Sequence, residues 1–294
     1  MKKTIAAALL LIASTLHGDE LTDRVEKITS SIDATVGVSA IDLASGRRFM
    51  LRGDERFPMA SVYKVPIVLP VLKKVSTGQI TLDQIVTIEP KDFAPGHSPL
   101  AKSAAGKPLN VELARLVVLA LGESDNTAAD ALLRVAGGPE AVTRYLRFIG
   151  ITAMDVSRSE KAMAADMKKP GTRSGDERDT ATPNAMAMLL RQSDARADGL
   201  GGGSRKFLLD TLRNAQTGER LIRAGVPAGS DVCEKSGRAP GVLNDAGYVT
   251  SPDGTHRMVM VIFTKDAKTS SEKAREDALA AIARAVYDDF MTRR

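Results

Sequence analysis

Ser61-Val62-Tyr63-Lys64 sets a hydroxyl and an amine three residues apart. On a helix that spacing puts both on one face, within reach of each other. A serine at a helix N-terminus also feels the positive end of the dipole, which favours the alkoxide as it develops. In a partly dry, cation-rich pocket the pKa of Lys64 falls, and the neutral amine can then accept the serine proton. The pair reads as a nucleophile with its base, although a capping serine beside a solvated lysine has the same spelling. Two further triplets sharpen the reading. Ser124-Asp125-Asn126 opens a stretch, running to Asp130, that reads as a helix start with its own capping chemistry. Lys235-Ser236-Gly237 reads as part of a strand, where a lysine facing a cleft would hold a carboxylate and the backbone beyond Gly237 would offer an N–H. Each triplet alone has a bland reading, but the three together are far more specific.

The elements that must position these residues follow from periodicity. Leu21, Val25, Ile28 and Ile32 mark an amphipathic helix from about 20 to 32. Strands at Val36–Ile41 and Arg47–Leu51 flank Asp42-Leu43-Ala44-Ser45-Gly46, which closes a hairpin. Helical spacing then recurs at Val65–Val75, Val111–Leu121, Thr127–Val135, Pro139–Phe148 and Pro183–Gln192. A glycine-rich connection, Gly199 to Ser204, precedes a helix at about Arg205–Asn214. Strands are expected at Val232–Ser236, Ala246–Thr250 and Met258–Thr264, then a closing helix whose face is Leu279, Ile282, Val286 and Phe290. Hairpin strands near both ends, with only helices between, imply that the two termini build one antiparallel sheet with flanking helices, into which an all-helical lobe is inserted. The expected division is an α/β lobe from 19–60 and 205–294 and an all-α lobe over 61–204.

Composition narrows the classes. With 294 residues, 43% apolar and 4% aromatic, the chain is globular and its core must be aliphatic. A formal charge of +5, about +3 without Lys2 and Lys3, is too small and too dispersed to argue for nucleic acid. Met1-Lys2-Lys3, the apolar run Ile5 to Ala13 and the polar boundary at Ser14–Gly18 read as a secretory signal peptide over 1–18, so a secreted or periplasmic protein without a membrane anchor is expected. Cys233 is the single cysteine, which forbids an intramolecular disulfide, and its strand context reads as a buried, inert thiol. No Gly-x-Ser-x-Gly elbow, no Gly-x4-Gly-Lys loop and no zinc-ligand cluster occurs, so neither metal nor cofactor is expected.

With these motifs in place, the sequence resembles the serine penicillin-recognising enzymes and, within them, the class A β-lactamases. Further matches are Arg56-Phe57-Pro58-Met59, Gly137-Gly138-Pro139, Asp176-Glu177-Arg178-Asp179-Thr180 and Thr217-Gly218. The resemblance implies the two-lobed β-lactamase/transpeptidase-like fold and hydrolysis of a small-molecule β-lactam through an acyl-enzyme, by a monomer. It implies that Ser61 is acylated, Ser124 relays a proton towards the leaving nitrogen, and Asn126 holds the substrate's side-chain amide. Lys235 and Ser236 would hold the carboxylate, and the N–H groups of Ser61 and Arg238 would form the oxyanion hole beside Gly237. Lys64 and Glu160, in Arg158-Ser159-Glu160-Lys161, would share the base work, and Arg158 with Asp179 would close the neck of the loop.

Departures from the pattern are equally specific. Ala162 to Gly175 makes the loop after Glu160 about six residues longer than usual, at little entropic cost. Ala164 stands where an asparagine usually shares the deacylating water, Lys161 where a proline is common, and Arg238 where small residues are common. These changes suggest intact acylation and slower deacylation. The Arg238 side chain reads equally as a second carboxylate clamp or as a solvated group. The alternatives are a D-alanyl-D-alanine peptidase, which lacks the Glu160 loop, and a non-hydrolytic penicillin-binding sensor.

Overall fold

The computed structural model describes residues 20–167, 176–194 and 200–292. The signal peptide expected over 1–18 and the Lys168-Lys169-Pro170-Gly171 stretch lie outside them. Helix α1 (residues 20–29) leads into a hairpin of β1 (Thr35–Asp42) and β2 (Arg48–Leu51). The hairpin closes where expected: the Asp42 carboxylate accepts the N–H groups of Ala44 and Ser45 at 3.1 and 2.6 Å, and Gly46 takes a φ of +75° that glycine adopts without penalty.

From there β3 (Phe57–Pro58) enters a 3₁₀ turn at Ala60–Tyr63 and then α2 (Lys64–Ser76). The middle of the chain follows as β4 (Ile85–Ile88), α3 (Pro99–Ser103), β5 (Leu109–Glu112), α4 (Leu113–Gly122), α5 (Asn126–Ala136), α6 (Pro139–Phe148), α7 (Glu160–Asp166), β6 (Thr180–Ala181), α8 (Pro183–Asp194) and α9 (Gly202–Arg213). The short α10 (Ile222–Gly225) precedes β7 (Asp231–Ala239), β8 (Val242–Thr250), β9 (Arg257–Lys265) and the closing helix α11 (Glu272–Thr292).

Among the described residues the main sheet has five strands in the order β2-β1-β9-β8-β7, and all its pairings are antiparallel. The chain's two ends meet in it, because β1 pairs with β9 from Thr35↔Lys265 to Asp42↔Met258. The alternation of side chains then separates two cores. Val36, Val38, Met258, Met260 and Ile262 pack with Leu21, Val25, Leu279, Ile282 and Val286 of α1 and α11. Ile41, Val259, Val261 and Phe263 face the other way, onto the helices of the middle region. Helix α2 runs through that second core with every residue from Lys64 to Leu72 buried, as a helix apolar on all sides must.

Helices alone do not fill the middle. Residues 85–88 and 109–112 form a small antiparallel ladder, and Phe57–Pro58 pairs with Thr180–Ala181. Helical spacing predicts a helix from Val111, but Val111 lies in β5 and α4 starts at Leu113, because a β-branched residue at the edge of an apolar run fits either period. Helix α9 begins at Gly202 rather than at about Arg205, so Gly202, Gly203 and Ser204 of the glycine-rich stretch are helical, and Gly199 lies outside the described residues.

Helix α10 lies directly on α11 at Gly225, where an added Cβ would fall 2.2 Å from the Ala280 carbonyl oxygen and 2.7 Å from the Ala283 Cβ. Gly225→Ala is therefore expected to destabilise the protein by about 1–3 kcal/mol, seen as a lower urea midpoint. An unchanged midpoint would show that the two helices are not in this contact.

Candidate active site

Ser61 lies in the 3₁₀ turn, one turn before α2 proper, rather than on the α-helix itself. The approach to it is held under strain. Ala60 has a φ of +46°, and Ser124, at the head of the second motif, has +59°. For residues with a Cβ such conformations cost about 1–3 kcal/mol each and persist only where the surroundings impose them. Those surroundings are visible. Asn244 on β8, fully buried, donates from Nδ2 to the carbonyls of Pro58 and Met59 at 2.8 and 3.0 Å. The Met59 N–H donates to the Asp179 carbonyl. Gly237 on β7 comes so close that a Cβ there would lie 3.0 Å from the Ser61 nitrogen and 2.9 Å from the Met59 carbonyl oxygen. Only glycine permits this approach of the strand to Ser61.

Lys64 is completely buried at the centre of the site. Its Nζ donates at 2.7 Å to both the Ser124 carbonyl and Asn126 Oδ1, and lies 3.2 Å from Glu160 Oε1, 3.3 Å from Ser61 Oγ and 3.4 Å from Ser124 Oγ. Burial pushes its pKa below the usual lysine range, and the Glu160 carboxylate opposes that push. Lys235, from β7, approaches from the opposite side, its Nζ donating to Ser124 Oγ at 3.0 Å and to the Ser236 carbonyl at 2.6 Å. Burial, and then repulsion from Lys64, pulls Lys235 down to about 7. Behind it, Glu234 and Asp245 are both fully buried. Burial and the Asp245 charge raise Glu234 well above the carboxylate range.

The Ser124 turn is fixed by its neighbour. Asp125, buried, caps α5 by accepting the Ala128 N–H at 2.8 Å and also takes Leu100 N–H and Ser98 Oγ. Asn126 uses Oδ1 on Lys64 and Nδ2 on the Pro95 carbonyl at 3.0 Å.

Glu160 is the first residue of α7, not part of an irregular loop, and Ser159 caps that helix through the Ala162 N–H. The expected neck is present: Arg158 Nε meets Asp179 Oδ2 at 2.6 Å, and Asp179 Oδ1 accepts the N–H groups of Ser157 and Arg158. Asp166 and Asp176 join the same guanidinium at 3.0 Å each, so both sides of the 168–175 stretch are tied to Arg158. The Arg238 side chain is committed elsewhere, with its guanidinium paired to Glu272 and Glu276 of α11.

Sequence reasoning missed Asn244 and Asp130. Asp130 lies one helical turn after Asn126, a spacing that puts both on one face of α5. It accepts the Glu160 N–H on Oδ1 at 2.7 Å and the Lys161 N–H on Oδ2 at 3.1 Å, while burial raises its carboxyl to about 6. Nothing local to Asn244 signals its role, which depends on a contact across the fold.

Comparison with known proteins places the whole chain. A family model described as the beta-lactamase enzyme family matches residues 20–290. The chain is 33% identical to beta-lactamase CTX-M-25 of Escherichia coli, over 99% of this chain and 97% of that protein. Among solved structures, a beta-lactamase from Chitinophaga pinensis superposes with a TM-score of 0.83 at 30% identity, covering 92% of this chain and 98% of that one. An ancestral class A beta-lactamase gives 0.82 at 34% identity, covering 92% of this chain and all (100%) of that one. The chain belongs to the beta-lactamase enzyme family and is a class A serine β-lactamase.

Proposed function

We propose that the chain hydrolyses β-lactam antibiotics through an acyl-enzyme on Ser61, which water activated by Glu160 then releases. The observation that carries this reading is the position of the Lys64 nitrogen, which lies within 3.4 Å of Ser61 Oγ, Ser124 Oγ and Glu160 Oε1. An ammonium has three donors. Two are engaged by the short bonds to the Ser124 carbonyl and Asn126 Oδ1. When the third proton passes to Glu160, the lone pair left behind can take the Ser61 proton as Oγ attacks the lactam carbonyl. Ser124 Oγ accepts from Lys235, so its own O–H is available to protonate the leaving nitrogen. The N–H groups of Ser61 and Arg238 stabilise the oxyanion. Lys235 and Ser236 hold the substrate carboxylate, and the second Nδ2 hydrogen of Asn126 meets its side-chain amide. Because its guanidinium is taken by α11, Arg238 serves through its backbone.

Hydrolysis of the ester needs a base on the water. Glu160 sits across Lys64 from Ser61, which supports it in this role and favours a hydrolase over a peptidase or a sensor that stays acylated. The exported location is proposed on the leader sequence. Among the described residues no helix is long and apolar enough to cross a membrane.

Glu160→Gln keeps the shape and removes the base. Acylation, in which Glu160 receives the Lys64 proton, slows as well, but deacylation should slow more, by about 10²–10⁴-fold, so that intact mass shows Ser61 fully acylated some time after mixing with a penicillin. Turnover at the wild-type rate without an accumulated adduct would remove Glu160 from the mechanism.

The position of Lys235 also sets a pH dependence. Its ammonium is charged below about 7 and is lost as pH rises past that value. A charge-assisted bond to the substrate carboxylate then becomes a neutral one, worth roughly 1 kcal/mol less. Between pH 6 and 9, kcat/KM for a carboxylate-bearing β-lactam should fall about fivefold or more. A flat profile over that range would show that the Lys235 charge does not hold the substrate.

A further inference from the structure

We propose that Glu276, together with Glu272, is a positioning residue for the oxyanion hole, holding the Arg238 backbone N–H in place by gripping the Arg238 side chain. The inference rests on the proposed use of that N–H in acyl transfer at Ser61. The donor belongs to the peptide that joins Gly237 to Arg238. Gly237 has to be glycine, because a Cβ there would lie 3.0 Å from the Ser61 nitrogen. The same missing Cβ leaves the peptide free to turn on its Gly237 side. Beyond it the strand is close to its end. β7 is an edge strand of the sheet, and only the pairs Arg238↔Leu243 and Ala239↔Val242 follow before the hairpin turns. Burial stops at the same point, since Gly237 is buried while Arg238, Ala239 and Pro240 are exposed. The donor peptide therefore lies where the packed site gives way to a solvent-exposed tip.

The Arg238 side chain supplies the missing restraint. Its two terminal nitrogens go to two carboxylates, Nη1 to Glu272 Oε1 and Nη2 to Glu276 Oε1, the second at 2.9 Å. Residues four apart lie on one face of a helix, so Glu272 and Glu276 present a pair of acceptors that the planar guanidinium meets in one orientation. Their support is α11, twenty-one residues long and packed along the sheet through Leu279, Ile282 and Val286. Glu276 is itself buried, and burying a carboxylate is unfavourable unless it is paired and hydrogen-bonded. Arg220 meets the oxygen that Arg238 leaves, its Nε lying 2.9 Å from Glu276 Oε2. With the Arg238 side chain held from α11, the peptide loses the freedom that Gly237 gives it. A small residue at this position would have no such tie.

The test compares wild type with Glu276→Gln and Arg238→Met, by time-resolved intact mass with a penicillin and by the infrared carbonyl band of the Ser61 adduct. Both variants keep the backbone N–H, and Arg238→Met, at an exposed position, serves if Glu276→Gln does not fold. An oxyanion forms in acylation and again in deacylation. Each variant should therefore slow both steps about tenfold or more, while the penicillin concentration that half-saturates acylation changes by less than about threefold. The double variant should be no slower than Arg238→Met alone, because Glu276 acts through that side chain. A hydrogen bond to the ester carbonyl lowers its stretching frequency, so in adducts trapped by Glu160→Gln the band should move to higher frequency when Arg238→Met or Glu276→Gln is added. Unchanged rates, a further loss in the double variant, or slowed rates with an unmoved band would each overturn the positioning role. Tighter half-saturation at unchanged rates would also overturn it, and would make Arg238 a carboxylate clamp that α11 holds back. If Glu160→Gln traps no adduct, the assignment of the base fails by itself, and the rates and the double variant decide this inference. If Ser61 is acylated in none of these proteins, both fail.

Discussion

A single buried ammonium, that of Lys64, organises the molecule around it. Burying a charge is costly unless polar partners surround it closely, and here the partners come from four separate places: the 3₁₀ turn at Ser61, the Ser124 turn, the first residue of α5 and the first residue of α7. Each partner is also a group that the proposed mechanism uses. The requirement to satisfy Lys64 therefore coincides with the proposal's requirement that nucleophile, proton relay and base lie within 3.4 Å of a common nitrogen.

The sheet supplies the opposite wall. Its edge strand β7 brings Lys235 to Ser124, and Gly237 lets that strand approach the Ser61 backbone. Asn244 on the adjacent strand ties the residues before Ser61 to the same sheet. Asp179 connects the two halves of the site, because its carbonyl accepts from Met59 while its carboxylate closes the turn leading to Glu160. The positive φ angles of Ala60, Ser124 and Asp179 lie at these joints, +46°, +59° and +56° respectively. Local conformational energy is given up where the site must be exact, and the packed cores on both sides maintain it.

Much of this was legible in the sequence. Ser61, Lys64, Ser124, Asn126 and Lys235 are named by short motifs, and they meet. The terminal sheet strands were legible from alternation and from turn residues such as Asp42 and Gly46. The two-stranded ladders escaped because four-residue strands carry too few positions to distinguish a period of two from 3.6. Glu160 was found by its match to a family pattern, but its place at a helix start was not, since Ser159 caps a helix of only seven residues. Asp130 and Asn244 act through partners 31 and 186 residues away at most, and no local pattern reports such distances. The commitment of Arg238 to Glu272 and Glu276 was hidden for the same reason.

The central claim is that this network opens lactam rings repeatedly through one serine. The most direct measurement follows the intact mass of the purified wild-type chain over time after mixing with a penicillin, alongside the loss of ring absorbance. The account predicts a transient adduct of one substrate per chain, located on Ser61, with many rings opened before it disappears. A one-to-one adduct that persists, with absorbance lost only in that same proportion, would contradict it.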